Sequence, residues 1–256
     1  MAATLTVSDK FKVNSLHSYF LLPATDSVPI IYNVRRVRDG KSFCTRSVTA
    51  KQNGQNVFVC ETSFHIPESS DLEHEVQAPN YGSPEEAFSA KELLERLRGK
   101  VELSKSLIDI LENERDSPKE LDVKYCGLGT ADLTGPSKRD SESAIWFRAK
   151  GKIANTSATN SCVGAFATDF FLLTTALKPI GVVLYGDPRL SFIASLDHCV
   201  WFHREYKADE WHLHHMSSSI ARSGRAFCTG RVFNQKGELV MSISQEGAIR
   251  LRSSKL

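Results

Sequence analysis

The sequence predicts an α+β fold, and three observations carry that expectation. One module occurs twice, about 180 residues apart; each copy reads as antiparallel strands; and a long apolar helix precedes the second copy. A buried helix followed by an antiparallel sheet that wraps around it is α+β architecture.

The repeat is read by setting the stretch from Gly40 beside the stretch from Gly224. Phe43-Cys44-Thr45 falls on Phe227-Cys228-Thr229 and Val48 on Val232. After a one-residue gap Gly54 meets Gly237 and Val57 meets Val240, which places Thr62 where the second copy has Gln245. Upstream, Ser15-Leu16-His17 corresponds to Ser195-Leu196-Asp197-His198. In the first copy Ser42–Ala50 and Val57–Phe64 are rich in β-branched and aromatic residues, with Lys51-Gln52-Asn53-Gly54 as the hairpin turn. Arg225–Phe233 and Glu238–Ser244 repeat this around Asn234-Gln235-Lys236-Gly237.

Ahead of the second copy, Val163, Phe166, Phe170, Leu173 and Leu177 recur at three- and four-residue steps, which predicts a helix over Ser161–Leu177. Its other positions are small or apolar, so the helix should be buried nearly all round. Between the copies, Pro67–Ser143 is charged and punctuated by proline, and reads as a helical connector over residues 67–143. Ser83-Pro84-Glu85-Glu86 has the form of a capped helix start, and Leu93, Leu94, Leu97, Val101, Leu107, Ile108 and Leu111 mark one or two amphipathic helices. Residues 1–66 and 144–256 are then the two modules. About fifty residues separate Trp146 from Ser195, but only fourteen precede Ser15, so the first module is expected to be incomplete, without its first strand and most of its helix.

Composition narrows the function classes. With 41% hydrophobic and 24% charged residues in 256, disordered and fibrous classes are excluded. A net charge of +2 gives no footprint for nucleic acid. Six cysteines, Cys44, Cys60, Cys126, Cys162, Cys199 and Cys228, contain no CxxC pair and read as buried thiols in a reducing compartment. Met1–Lys10 lacks the basic start and apolar core of a secretory signal, and the run from Ser161 to Leu177, interrupted by Asp169, reads as too short and too polar to span a bilayer. The chain stops at Ser254-Lys255-Leu256, a tripeptide that import receptors read as a peroxisomal matrix address.

A doubled module ending in this tripeptide resembles the thioesterase II (TesB-like) family of acyl-CoA thioesterases, in particular its peroxisomal members. The resemblance is carried by Leu16-His17-Ser18-Tyr19-Phe20, Arg38-Asp39-Gly40-Lys41-Ser42-Phe43, Ser195-Leu196-Asp197-His198, Trp201-Phe202-His203-Arg204 and Gln245-Glu246-Gly247. It implies a double hotdog, each half a long helix wrapped by an antiparallel sheet. It also implies hydrolysis of fatty acyl-CoA to free acid and coenzyme A without a cofactor or metal, and allows a homo-oligomer. The family's site positions fall on Asp169, Ser195 and Gln245. A Gly-rich helix start that complete members carry in the first module has no counterpart here, so a non-catalytic relative that binds acyl-CoA or a partner subunit stands as the second reading.

The three residue types suit the chemistry independently. Asp169 is the only charge between Ile153 and Leu177, and a carboxylate on a helix fit for burial is costly without hydrogen bonds. It can act as a general base toward water. Ser195 can hold that water or share its proton, and a nucleophilic role stays open although no histidine is assigned to activate it. Gln245 can donate to the water or polarise the carbonyl. The rival constellation is Asp197, His198 and His203 with His212, His214 and His215; His212 and His214 would share one strand face, but no spacing with a metal mechanism is present. These histidines are expected to face solvent or be hydrogen-bonded. Trp201-Phe202-His203-Arg204 reads as packing around Trp201, with Arg204 exposed.

Overall fold

The structure is a computed structural model that describes residues 1–99, 103, 105–113, 118–127, 138, 140–182 and 190–251. In chain order its elements are β1 (Lys12–Phe20), β2 (Ile31–Asp39), β3 (Phe43–Gln52), β4 (Gln55–His65), α1 (Ala90–Leu97), α2 (Lys105–Asn113), β5 (Leu121–Tyr125), β6 (Glu142–Ala149), α3 (Ser157–Asp169), β7 (Leu190–Ser195), β8 (Asp197–Phe202), β9 (His212–Arg222), β10 (Arg225–Asn234) and β11 (Leu239–Leu251). All strand pairs are antiparallel, and the strands join in the order β2-β3-β4-β1-β8-β11-β10-β9-β6-β5, with β7 also on β11.

The sequence repeat is visible in that order. Outward from the β1–β8 junction, one direction reads β1-β4-β3-β2 and the other β8-β11-β10-β9. Leu16 lies opposite Val200 and Ser18 opposite His198 at this junction, and the Ser18 hydroxyl donates to the His198 carbonyl at 2.7 Å. Both hairpin turns are local in origin. Asn53 and Gly54 take φ of 50° and 79°, the left-handed pair a tight two-residue hairpin requires. In the second turn the Asn234 Oδ1 accepts from the backbone amides of Lys236 and Glu238, each at 3.0 Å.

The helix expected over Ser161–Leu177 is two pieces. α3 ends at Asp169; Phe170 is extended (φ −73°, ψ 140°), Phe171 is left-handed at φ 66°, and a 3₁₀ turn follows at Leu173–Leu177. The break lets Leu172, Leu173 and Leu177 drop into the main core with Val200, Val232, Val240, Met241 and Ile243. Nor is the helix enclosed on every side. It packs on β1 and β8, while Phe166 on the opposite face is 44% exposed. Ser157–Leu177 is, by length and composition, apolar enough to cross a membrane, contrary to the sequence expectation. Its broken course and its leucines in the core make it an interior segment of this fold.

Within residues 1–66 the only helical piece is a 3₁₀ turn at Thr4–Thr6. Ala3, Val7 and Phe11 cover a small core of Cys44, Val48 and Phe64. Arg46, 2% exposed, anchors that segment: its guanidinium donates to the Thr6 hydroxyl (2.8 Å) and carbonyl (3.2 Å), and pairs with Asp39.

In the connector, the capped helix start lies six residues later than expected. Ser83–Glu86 forms only a turn, in which the Glu86 carboxylate accepts from the Ser83 amide, whereas Ser89 and Glu92 make the reciprocal capping box of α1. Leu93, Leu94 and Leu97 of α1 pack with Leu107 and Leu111 of α2; Val101 lies outside the described residues. The same stretch carries β5, paired to β6 at the sheet edge. All six cysteines are free, but only Cys44, Cys126 and Cys228 are buried; Cys60 on β4, Cys162 on α3 and Cys199 on β8 are partly exposed.

Candidate active site

Three separate elements bring the three sequence-identified residues together. Asp169 is the last residue of α3, Ser195 the last of β7, and Gln245 lies within β11. Ser195 Oγ donates to Asp169 Oδ1 at 3.0 Å, and Gln245 Nε2 donates to the same Oδ1 and to Ser195 Oγ, both at 2.6 Å. Hydrogen counting closes this triangle: two amide protons and one hydroxyl proton meet two acceptor positions on Oδ1 and one on Oγ. Among the described residues Asp169 Oδ2 has no hydrogen-bond partner. Gln245 is fully buried, while Asp169 and Ser195 are half-buried.

A bulge sets this geometry. β7 and β8 run on the same edge of β11, with Ser195 opposite Gly247 and Cys199 opposite Ser244. Between these pairs two residues on β11, Gln245 and Glu246, face three on the other strand, Leu196, Asp197 and His198, one extra residue in the ladder. At that point the Leu196 amide donates to the Glu246 carbonyl (2.9 Å) and Asp197 Oδ1 accepts from the Glu246 amide (2.7 Å). Bulges bend a strand and re-aim its side chains, which is their common use beside active sites. Here the bulge turns Ser195 toward Asp169, and the Asp197 carboxylate satisfies the amide the irregularity would leave unpaired.

Sequence reasoning missed the layer beneath. The His198 ring, 3% exposed, meets Gln245 Oε1 through Nδ1 at 3.1 Å and the Thr168 hydroxyl through Nε2 at 3.2 Å. Burial pushes the His198 pKa down, against the pull of the Asp169 carboxylate and the Gln245 bond. The available signal was its place in Ser195-Leu196-Asp197-His198, one residue after the Asp that caps the bulge.

The two ladders count the first copy differently. Gln245 lies opposite Cys228, whereas Cys44 lies opposite Phe64. Counted from the shared Phe-Cys-Thr strand, the first-copy counterpart of Gln245 is Phe64; counted from Ser15 and Ser195, which lie opposite Ser63 and Gly247, it is Glu61, and Thr62 lies between the two counts. Residues 1–66 have no helix beyond the Thr4–Thr6 turn to carry a counterpart of Asp169, so the first copy holds no equivalent of this cluster.

The other histidines are dispersed. His212 and His214 share one face of β9 as expected, both buried. His212 Nδ1 donates to the Glu210 carbonyl at 2.8 Å, and His203 Nε2 bonds Ser242 Oγ at 2.9 Å. His214 is neither solvent-facing nor hydrogen-bonded. It is fully buried against Phe147, both ring nitrogens lack partners, and burial first, then His198 and His215, hold its pKa down to about 3. Among the described residues no three His, Cys, Asp or Glu side chains are grouped as a metal requires. Arg204, partly exposed, holds Glu75 (2.9 Å) and Glu238 (3.1 Å). Ser254-Lys255-Leu256 lies outside the described residues.

Comparison with known proteins places the chain among relatives. Residues 128–248 match the family described as acyl-CoA thioesterase, and residues 1–65 match the acyl-CoA thioesterase N-terminal domain. The chain is 32% identical to acyl-coenzyme A thioesterase 8 of Homo sapiens over 98% of its own length and 77% of that protein. It is 25% identical to peroxisomal acyl-coenzyme A thioester hydrolase 1 of Saccharomyces cerevisiae, over 97% of this chain and 82% of the relative. Among solved structures, the acyl-CoA thioesterase II TesB2 of Mycobacterium marinum superposes with a TM-score of 0.76 at 30% identity, covering 99% of this chain and 86% of that one. A hot dog fold protein of Alicyclobacillus acidocaldarius gives 0.68 at 16% identity, over 94% and 80%, a likeness of fold alone.

Proposed function

Because this chain belongs to the TesB-like thioesterase II family of acyl-CoA thioesterases, we propose that it hydrolyses fatty acyl-CoA by base-assisted attack of water, with Asp169, Ser195 and Gln245 as the catalytic residues. Thioester hydrolysis is the activity its relatives are named for, and nothing in the comparisons favours the non-catalytic reading. The observation that supports the site is the convergence of a hydroxyl and a buried amide on one carboxylate oxygen, within 3.0 Å, at the end of the core helix.

In this reading a water enters between Asp169 and the two donors, Ser195 Oγ–H and Gln245 Nε2–H, taking over their bonds to Oδ1, and the half-buried Asp169 takes a proton from it. The water oxygen bonds to the acyl carbon, the amide stabilises charge developing on oxygen, and the carbon–sulfur bond breaks. The proton on Asp169 then passes to the coenzyme A sulfur, so free acid and thiol leave and the carboxylate is restored. The second module, residues 144–256, carries all three residues; the first, residues 1–66, adds the β1–β8 junction beneath them. Thiol release from a series of acyl-CoA chain lengths tests the activity. Turnover on at least one chain length is expected, and a folded protein inert to all of them contradicts it.

The matrix of the peroxisome is the proposed location, supported by Ser254-Lys255-Leu256 at the C-terminus. A fluorescent fusion at the N-terminus is expected to be punctate in a eukaryotic cell and to disperse when those three residues are deleted. Unchanged puncta would rule the tripeptide out as the address.

A further inference from the structure

Resting on that catalytic reading, we propose that His198 is a positioning residue, whose Nδ1–H fixes which way the buried Gln245 amide points. An amide can sit in two orientations that differ only in exchanging oxygen for nitrogen. With Nε2 toward Asp169 and Ser195, both N–H groups donate at 2.6 Å. Reversed, the amide oxygen would meet the carboxylate oxygen at that same separation, acceptor against acceptor.

The far side of the amide decides between the two. Oε1 lies 3.1 Å from His198 Nδ1, so an Nδ1–H holds the productive orientation, and a bare Nδ1 would repel Oε1 and favour the reversed one. The ring is therefore required as the Nδ1–H tautomer, with Nε2 left as an acceptor. Thr168 meets that nitrogen: its hydroxyl lies 3.2 Å from Nε2 and 2.9 Å from the Gly164 carbonyl of α3, and in this tautomer its single proton goes to Nε2 and not to the helix carbonyl. Thr168 is fully buried and directly precedes Asp169, so one turn of helix places both the base and the group facing the positioning ring. The other groups near the ring are the Asp169 and Asp197 carboxylates, the Ala165 carbonyl and His214.

The test combines ring nitrogen NMR on the unaltered protein with kinetics of two variants. In uniformly ¹⁵N-labelled protein near neutral pH, the His198 signals, assigned by their loss in His198→Asn, are expected to report a protonated Nδ1 and an unprotonated Nε2. A ring protonated at Nε2 overturns the proposal whatever the kinetics of the variants. In acyl-CoA hydrolysis, His198→Leu is expected to lose about 10- to 100-fold in kcat with KM within about twofold. His198→Asn, whose amide N–H reaches the place of Nδ1–H, is expected to recover most of that loss. A folded His198→Leu with parental kcat overturns the positioning role while leaving the Asp169 reading intact. An unaltered protein without turnover would contradict the catalytic reading instead, and the tautomer would still be decided by NMR.

Discussion

Asp169 sits where a helix least favours a carboxylate, at the C-terminal end with its partial negative charge. What offsets that position is the pair of donors on Oδ1, supplied by strands distant in sequence. Gln245 matters most among these because it is fully buried and all its hydrogen-bonding groups are used, two donors on the site side and one acceptor toward His198. Replacing it with the similarly sized Gln245→Leu should keep the packing and remove the donors. The expected result is a loss of about 10²- to 10³-fold in kcat by thiol release; activity within about tenfold of the parent would show that the amide does not serve the reaction. The trio was legible from a single charge in an apolar helix and from the family resemblance. The His198 layer was not, because a histidine in a strand looks the same whether it orients an amide or fills a core.

At the scale of elements, α3 lies close to β11 because residue 164 is glycine. A methyl there would overlap the Tyr206 hydroxyl and lie 2.9 Å from the Met241 sulfur. That hydroxyl is fixed by donating to the Asn160 carbonyl at 2.6 Å, so it cannot simply give way. Gly164→Ala is therefore expected to destabilise by about 1–3 kcal/mol, despite the higher helix propensity of alanine, and to lower the thermal midpoint. A midpoint equal to or above the parent would contradict this close approach. The strands and both hairpin turns could be read from the sequence, since β-branched alternation and Asn-Gly chemistry are local signals. The break at Phe170 could not, because apolar spacing runs unbroken through Phe166, Phe170, Leu173 and Leu177 while tertiary packing alone pulls the last two into the core. Two Ser-x-x-Glu patterns likewise competed in the connector. Only the one at Ser89 leads directly into leucines at helical spacing, whereas the Glu86 carboxylate closes a turn on Ser83.

For the whole molecule, the repeat is a mirrored strand order about the β1–β8 junction, with the proposed site on one side of it. The half that carries the site also holds buried histidines, and they make stability depend on pH. His214 has a folded pKa of about 3 against about 6.5 unfolded, so the unfolded chain takes the proton first. Its neutral burial stabilises above about pH 6.5, and that contribution is lost as pH falls from there toward 3. By pH 5 the loss is roughly 2 kcal/mol; His198 and His212, also held down chiefly by burial, act in the same direction. The thermal midpoint should drop between pH 7 and 5, and His214→Leu should flatten that drop. A parent midpoint constant over this window would show that these rings are not buried as described. The most direct test of the central claim is acyl-CoA turnover by Asp169→Asn beside the parent, with circular dichroism establishing that both are folded. The expected result is a loss of about 10²- to 10⁴-fold in kcat in a folded variant. A folded Asp169→Asn that keeps parental turnover would contradict the assignment of this carboxylate as the base.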